Sequence, residues 1–421
     1  MDERRTDIIH YGLETEIIEL VATLGDEKDV SHDTELSDLF FKTKSSDIRE
    51  SIIKLFTAEK NTALEGYSLE IISDPHEVKS STVQAIFSYI IALKDKQTLP
   101  AIRAILKNED VEYRDRAIAA LGELGEPEDA MYLLEYLDSE ITGDEKQRLI
   151  IRQNVMTALG QLKSIDSWDK LVEIIKDKDE NATIRATAAV AIGNMGKVEA
   201  IPVLSALFED SDPILRTASI TALANFNTSE SNALVIEGFK DSYYKVRLQS
   251  VLAMERLKIP EAVPYLLYRA KNDPVDNVKL QSFEALGAFN SEETNNWLRS
   301  IFLDDKSSET FRLKAAAVLL KNNSDFIFSD IEKIALQAVA DDKKKNFRYE
   351  IGKLIAASNE DQKSSNIAAA FLGSKDVLTK SIGLDMFSKN KYPELKAVIE
   401  GISIDEKQGA LQRRAKKILS E

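Results

Sequence analysis

The side chains best suited to chemistry are few in this sequence, and their spacing limits what they can do. Three histidines, His10, His32 and His76, stand in the first fifth of the 421-residue chain, and there is no cysteine. Without thiols there is no disulfide, no Cys-ligated zinc and no thiolate nucleophile. Helical metal sites commonly pair histidines three or four residues apart, and no histidine here has such a partner; His76 and Glu77 form one isolated His-Glu pair. Histidines so early and so scattered nominate no Ser-His-Asp arrangement. The Gly-Asn-Met-Gly stretch at 193–196 is not followed by the Lys-Ser or Lys-Thr of a phosphate loop. Carboxylates are abundant, but their positions on solvated helix faces and turns do not favour paired-acid catalysis. The expectation is a chain with no catalytic residue, no metal and no cofactor, and one that is not an enzyme.

Arginine, unlike histidine, recurs with a rhythm. Basic residues at Arg49, Lys79, Arg114, Arg152, Arg185, Arg216, Arg247, Lys279, Arg312, Arg348 and Lys380 recur about every 33 residues. Behind each, small or apolar residues follow at offsets three, six and seven, one face of a helix: Ala188, Ala191 and Ile192 after Arg185, and Ser250, Ala253 and Met254 after Arg247. Gly122, Gly160, Gly193 and Gly287 fall at offset eight, where they cap the helix or let another approach closely. A second apolar helix follows each time, opened by Pro127, Pro260 or Pro393, and the Asp-Pro pairs at 212 and 273 read as cap plus first helical residue. Such a pair cannot bury its own apolar side, so the units must stack. No stretch alternates as a strand does.

The skeleton Asp-x-x-apolar-Arg-x-x-Ala-x-x-Ala-Leu-Gly, seen from Asp212 to Ala224 and from Asp276 to Gly287 with small departures, resembles the HEAT repeat, especially its short bacterial form and the bilin-lyase type. The resemblance implies an all-α fold, a right-handed α-α superhelix of about twelve helical pairs. Residues 1–45 read as divergent N-terminal capping helices and 46–421 as one continuous repeat array. It also implies that each anchor Arg points into the stack toward a turn Asp, a structural ladder of Arg114, Arg152, Arg185, Arg216, Arg247 and Arg312 with Asp212 and Asp241. The HEAT-repeat hydroxylases that modify lysine through a di-iron site need several His-Glu pairs, and one does not make the site.

Function is read from the surface. The net charge of −16 is concentrated at the start: residues 1–150 hold 33 acidic and 17 basic side chains, and 151–421 hold 38 of each. That field disfavours nucleic acid and favours a basic partner segment contacting residues 1–150. Eighteen residues after the anchors stand Tyr132, Val203, Leu234, Tyr265 and Trp297, with Tyr136 and Tyr268 nearby, opposite the helix face predicted to be buried. The resemblance places second helices on the concave face, so this strip is the expected contact for a partner polypeptide. The sequence-level function is therefore a non-catalytic protein-interaction scaffold; the alternative is a HEAT-like lyase or enzyme accessory subunit acting on a small-molecule-modified protein. No segment reads as a membrane span. The charged opening reads as cytoplasmic as written, or as periplasmic if Met1 stands in for a removed export signal.

Overall fold

A computed structural model describes residues 2–107, 112–138, 144–358 and 361–420. The described residues form 25 α-helices, with short 3-10 turns and no strand, paired as the repeat requires. The pairs have a fixed anatomy. The basic anchor is the fourth residue of a 14-residue helix in Ser46–Glu59, Ala182–Met195, Tyr244–Leu257, Asp276–Phe289 and Val377–Asn390. Caps explain where such helices start: the Asn181 carbonyl oxygen accepts the Thr183 N–H, and the Asp212 carboxylate accepts the Ile214 N–H ahead of Pro213. Most stop just before the eleventh residue past the anchor, where Lys60, Lys163, Gly196, Lys258, Asn290 and Lys391 take positive φ; the Arg216 helix ends at Leu223 and reaches its left-handed residue, Asn227, after a turn.

This anatomy corrects one anchor. In the helix Ser80–Leu93 the fourth residue is Val83, and Lys94, eleven further on, has φ 55°. Lys79 is the residue before the helix, so this copy has no basic anchor. In the long helix Glu309–Ala340 the eleventh residue past Arg312 is Asn323, whose φ of −157° and ψ of 68° kink the helix where other copies turn through a left-handed residue.

By contacts the chain divides into two compact units, 1–234 and 235–421. In the first, one apolar core runs from Ile9 through Phe56, Phe87 and Leu121 to Leu159 and beyond. Its arginine-bearing helices Arg114–Leu124, Glu145–Leu162, Ala182–Met195 and Pro213–Leu223 pack directly on one another, whereas their companions, such as Trp168–Lys176 and Ala200–Phe208, pack mainly against the arginine-bearing layer. The glycines at offset eight set that difference. A Cβ on Gly122 would lie 2.7 Å from the Ala158 Cα, one on Gly160 2.7 Å from the Ala191 Cα, and one on Gly193 2.6 Å from the Ala222 Cβ. They are therefore close-packing sites inside the helices, and the caps come three residues later. The second unit has its own core, including Phe302, Leu319, Phe347 and Phe371.

Candidate functional site

Several of the anchor arginines tie their helix to the ends of companion helices. Arg185 donates from Nε to the Ile175 carbonyl (3.0 Å), at the end of the preceding companion helix, and lies 3.5 Å from the Asp210 carboxylate beyond the following one. Arg312 likewise takes the Phe302 carbonyl (2.9 Å), but its carboxylate partner, Asp305 at 2.8 Å, lies just past that same preceding helix. These carbonyls are the unpaired acceptors that every helix leaves at its C-terminus. Arg152 reaches Glu180 at 2.6 Å, and Arg114 stacks over the Tyr136 ring at 5.5 Å. Arg247 is bidentate to Asp273 at 2.7 and 2.8 Å, with the Asp273 side chain fully shielded. Burial pushes the Asp273 carboxyl up, but the Arg247 hydrogen bonds, the Val275 N–H and the guanidinium charge outweigh it and hold the group below the ordinary carboxylate range.

Two expected rung residues also serve the starts of helices. Arg216 takes the backbone carbonyls of Asp210 and Ser211 (3.0 and 2.9 Å), while the Asp212 carboxylate caps its helix. Arg247 takes the Asp241 carbonyl (2.9 Å), and the Asp241 carboxylate accepts the Tyr243 N–H. An Asp just ahead of a helix accepts from the free N–H groups of its own first turn.

The candidate site lies on the arginine-bearing layer of the first unit. One residue past each glycine position stand Glu123, Gln161, Asn194 and Asn225, in a row across four helices. Gln161 Nε2 donates to Glu123 Oε1 at 2.6 Å, and Asn225 Nδ2 donates to Asn194 Oδ1 at 3.1 Å. The Gln161 carbonyl oxygen occupies the space that a side chain on Gly122 would take. Together with Gly122, Gly160, Gly193 and Lys163, the row lines an open groove of 530 Å³. A second hollow of 390 Å³ shares Glu123 and Gln161 and continues along Arg116, Asn154 and Thr157. Past the anchor arginines, every exposed or half-buried position in the helices Glu145–Leu162, Ala182–Met195 and Pro213–Leu223 is uncharged. This stands out in a chain of which 30% is charged.

The expected aromatic strip lies elsewhere. Tyr132, Tyr136, Val203, Leu234, Tyr265 and Trp297 are half-buried on companion helices, and only Tyr268, 56% exposed, stands fully in solvent. Much of the aromatic surface packs between neighbouring pairs. The Tyr136 hydroxyl donates to the Leu106 carbonyl at 3.0 Å and Tyr265 stacks on Phe239 at 5.9 Å, while Trp297 meets Phe283 of its own pair edge-on at 5.1 Å. In a two-layer stack the more closely packed layer is the inner one. In the first unit the more closely packed layer is the arginine-bearing one, which carries the amide row. The row had a sequence signal, Leu-Gly-Glu, Leu-Gly-Gln and Ile-Gly-Asn at the same offset.

The histidines do not converge. His76 Nδ1 lies 3.7 Å from the Glu112 carboxylate on the surface, His10 Nδ1 lies 3.0 Å from the Thr6 carbonyl, and His32 is buried before the helix Asp33–Lys42. Among the described residues no three His, Asp or Glu side chains are gathered as metal ligands, so these residues do not fit a di-iron centre. No helix among them is long and apolar enough to cross a membrane.

Comparison with known proteins adds a family and several relatives. The family model described as Spirochaete HEAT repeat protein matches residues 9–418. The chain is 25% identical over 296 residues to deoxyhypusine hydroxylase of Drosophila melanogaster, covering 68% of this chain and 92% of that protein. It is 27% identical over 135 residues to the Candida albicans deoxyhypusine hydroxylase, a match that spans 40% of that relative. Among solved structures, the CpcE–CpcF complex of phycocyanin lyase from Nostoc sp. PCC7120 is similar, with a TM-score of 0.37, 18% identity, and coverage of 61% of this chain and 94% of that one. The karyopherin Kap121p bound to the extreme C-terminus of the phosphatase Cdc14p is similar over 98% of this chain and 53% of that one, with a TM-score of 0.43 and 12% identity. The similarity to named hydroxylases overturns the expectation that the chain is not an enzyme. Scarce histidine and absent cysteine were too narrow a basis for that exclusion.

Proposed function

From the premise that this chain belongs to the Spirochaete HEAT repeat protein family, we propose that it recognises a polypeptide segment of a partner protein in the amide-lined groove of its first unit. The single observation carrying this reading is the row Glu123, Gln161, Asn194 and Asn225 along a 530 Å³ groove. Such a row offers donors and acceptors side by side, with Glu123 and Lys163 as the charged groups on the groove. The 33 acidic against 17 basic side chains of residues 1–150 favour a partner whose flank is basic, so association slows as salt rises. The test uses random 15-residue peptides displayed on phage and selected on the full chain. Their affinity, read by fluorescence anisotropy, falls at least tenfold in the variant Gln161→Ala/Asn194→Ala/Asn225→Ala and is unchanged in Tyr268→Ala. Equal affinity for the triple variant, with its helical circular dichroism intact, defeats the reading.

A second reading is favoured by the similarity to the Drosophila deoxyhypusine hydroxylase, which spans most of both chains. In it the bound polypeptide is also a substrate, modified by this chain or by an enzyme of which it is a subunit. Mass spectrometry of a selected peptide after incubation with the chain in cell extract separates the two, since only the second reading gives a mass change lost in the triple variant.

A further inference from the structure

Resting on the reading of the groove as a polypeptide site, we infer that the partner segment also crosses the turn edge of the groove. There its bulky apolar side chains pack on Met131, Ile165 and Val198, and its basic side chains meet Glu128, Asp166 and Glu199.

Position is the first argument. Lys163 and Gly196, at the same place in the turns that follow the Arg152 and Arg185 helices, line the groove. Two residues on, Ile165 and Val198 again hold equivalent places in consecutive pairs and stand 72% and 59% exposed. In the copies on either side that place belongs to Pro127 and Ser229. Met131, 61% exposed, lies in the helix Ala130–Asp138, and the turn Ile165–Ser167 packs against that helix. Lys197 of the next pair lies over the Trp168 ring at 5.0 Å. These contacts join three successive pairs along this edge, so the exposed apolar side chains form one row beside the groove. Exposed aliphatics scattered singly are ordinary on any protein; aligned in successive units beside a groove, they offer a partner the apolar burial that drives association.

Charge is the second. The residue after Pro127, Ile165 and Val198 is acidic each time, giving Glu128, Asp166 and Glu199, all exposed. A carboxylate in the first turn of a helix is favoured by the helix dipole in any copy. What differs here is its surroundings. Glu126, on the same edge, is paired with Lys96, whereas no cation among the described residues pairs with Glu128, Asp166 or Glu199. Asp169 adds a fourth carboxylate, against the ammonium groups of Lys163 and of Lys197, the second already engaged on Trp168. The row is therefore apolar along its length and acidic beside it. That combination fits a segment carrying both bulky apolar residues and Lys or Arg, and it repels an acidic one.

The test returns to the phage-selected peptides, which should be rich in bulky apolar residues and in Lys and Arg. In the full chain, Ile165→Ser/Val198→Ser removes exposed apolar surface without opening the core. It should weaken the peptides at least about tenfold in fluorescence anisotropy, while Ile404→Ser, a similarly exposed aliphatic of the second unit, leaves affinity unchanged. Glu128→Gln/Asp166→Asn/Glu199→Gln should weaken binding several-fold at low salt and flatten the decline of affinity with salt. If the serine variant binds as tightly as the unmodified chain while Gln161→Ala/Asn194→Ala/Asn225→Ala loses affinity, the edge inference fails and the groove reading survives. If the serine variant loses affinity and the alanine variant does not, the edge stands and the groove reading falls. An unaltered salt dependence in the carboxamide variant overturns the basic character assigned to the partner.

Discussion

Substituting Gly160 by Ala tests the closeness of the arginine-bearing layer on which the groove depends. In a helix interior the change would ordinarily stabilise, by about 0.8–1 kcal/mol, because Ala gives up less backbone freedom than Gly. At Gly160 the new methyl would lie 2.7 Å from the Ala191 Cα and 2.9 Å from its Cβ, well inside van der Waals contact and against backbone that cannot rotate away. Overpacking of this kind costs roughly 1–3 kcal/mol, toward the upper part when the obstacle is main chain. The net expectation is a loss of about 1–2 kcal/mol, or a melting temperature lower by roughly 2–8 °C for a unit of this size. Gly401, inside the helix Lys396–Ile404 with nothing near its absent side chain, is the control. Gly401→Ala should raise stability by up to about 1 kcal/mol. The two tryptophans report separately, Trp168 in the first unit and Trp297 in the second. Urea unfolding followed by fluorescence, in Trp297→Phe and Trp168→Phe backgrounds respectively, reads each change in its own unit. A Gly160→Ala protein as stabilised as Gly401→Ala would refute the close approach and remove the floor of the groove.

Two carboxylates should respond to pH with opposite signs. Asp273 is held below its ordinary pKa by Arg247 once burial is overcome, so its contribution is complete above the unfolded value near about 3.9 and is lost as pH falls through the depressed folded value. Asp273→Asn should cost about 3 kcal/mol at pH 7, the lower end for stranding one member of a buried pair, and should flatten the acid limb of the second unit's stability curve; a full acid slope in the variant would assign that limb elsewhere. Glu59 is raised first by its own burial and then by Asp33 and Asp29, and neither of its shielded oxygens has a hydrogen-bond partner. Its folded form holds a proton more tightly than its unfolded form, so stability is highest below about 4.3 and is lost as pH rises through the raised folded value. Glu59→Gln should therefore melt higher than the unmodified chain at pH 8 and lose that advantage toward pH 4.5; equal melting at pH 8 would rule out the buried charge.

The fold was legible because the repeat writes the same packing constraint many times. A single arginine is ambiguous, but Arg185, Arg216 and Arg247, each followed by small residues at fixed offsets, leave few alternatives to stacked helical pairs. Copies that broke the rule were misread, as when Lys79 stood in for the buried Val83 four residues on. The site was less legible for a related reason. Burial was inferred from side-chain character within one helix, and that cannot tell which layer of a stack is inner. An aromatic such as the half-buried Tyr265 reads as unpartnered from its own helix because Phe239, which stacks on it, belongs to the preceding pair. The amide row was hidden the opposite way, since Asn and Gln on a helix face look like ordinary solvated positions until the glycines beside them are seen to bring the helices together.

Glycine at offset eight thus has two consequences from one cause. Removing the side chain lets the next helix approach to contact, and it leaves unfilled the strip of surface over which the following residue leans. The second unit shows what happens when the pattern lapses. There Gly287 is filled by Val318 and overlain by the Asn322 amide, and the offset eight positions of the neighbouring copies are Glu255 and Leu320. The same layer is spanned by Gln281 bonded to Glu255 and by Lys314 paired with Glu284, charged contacts that satisfy one another across the helices. A surface whose charges are mutually paired has little left to offer a partner. In the first unit Gln161, Asn194 and Asn225 stand instead along a groove floored by glycines, with Glu123 and Lys163 its charged groups, which is why peptide recognition is proposed for it and not for every copy of the repeat.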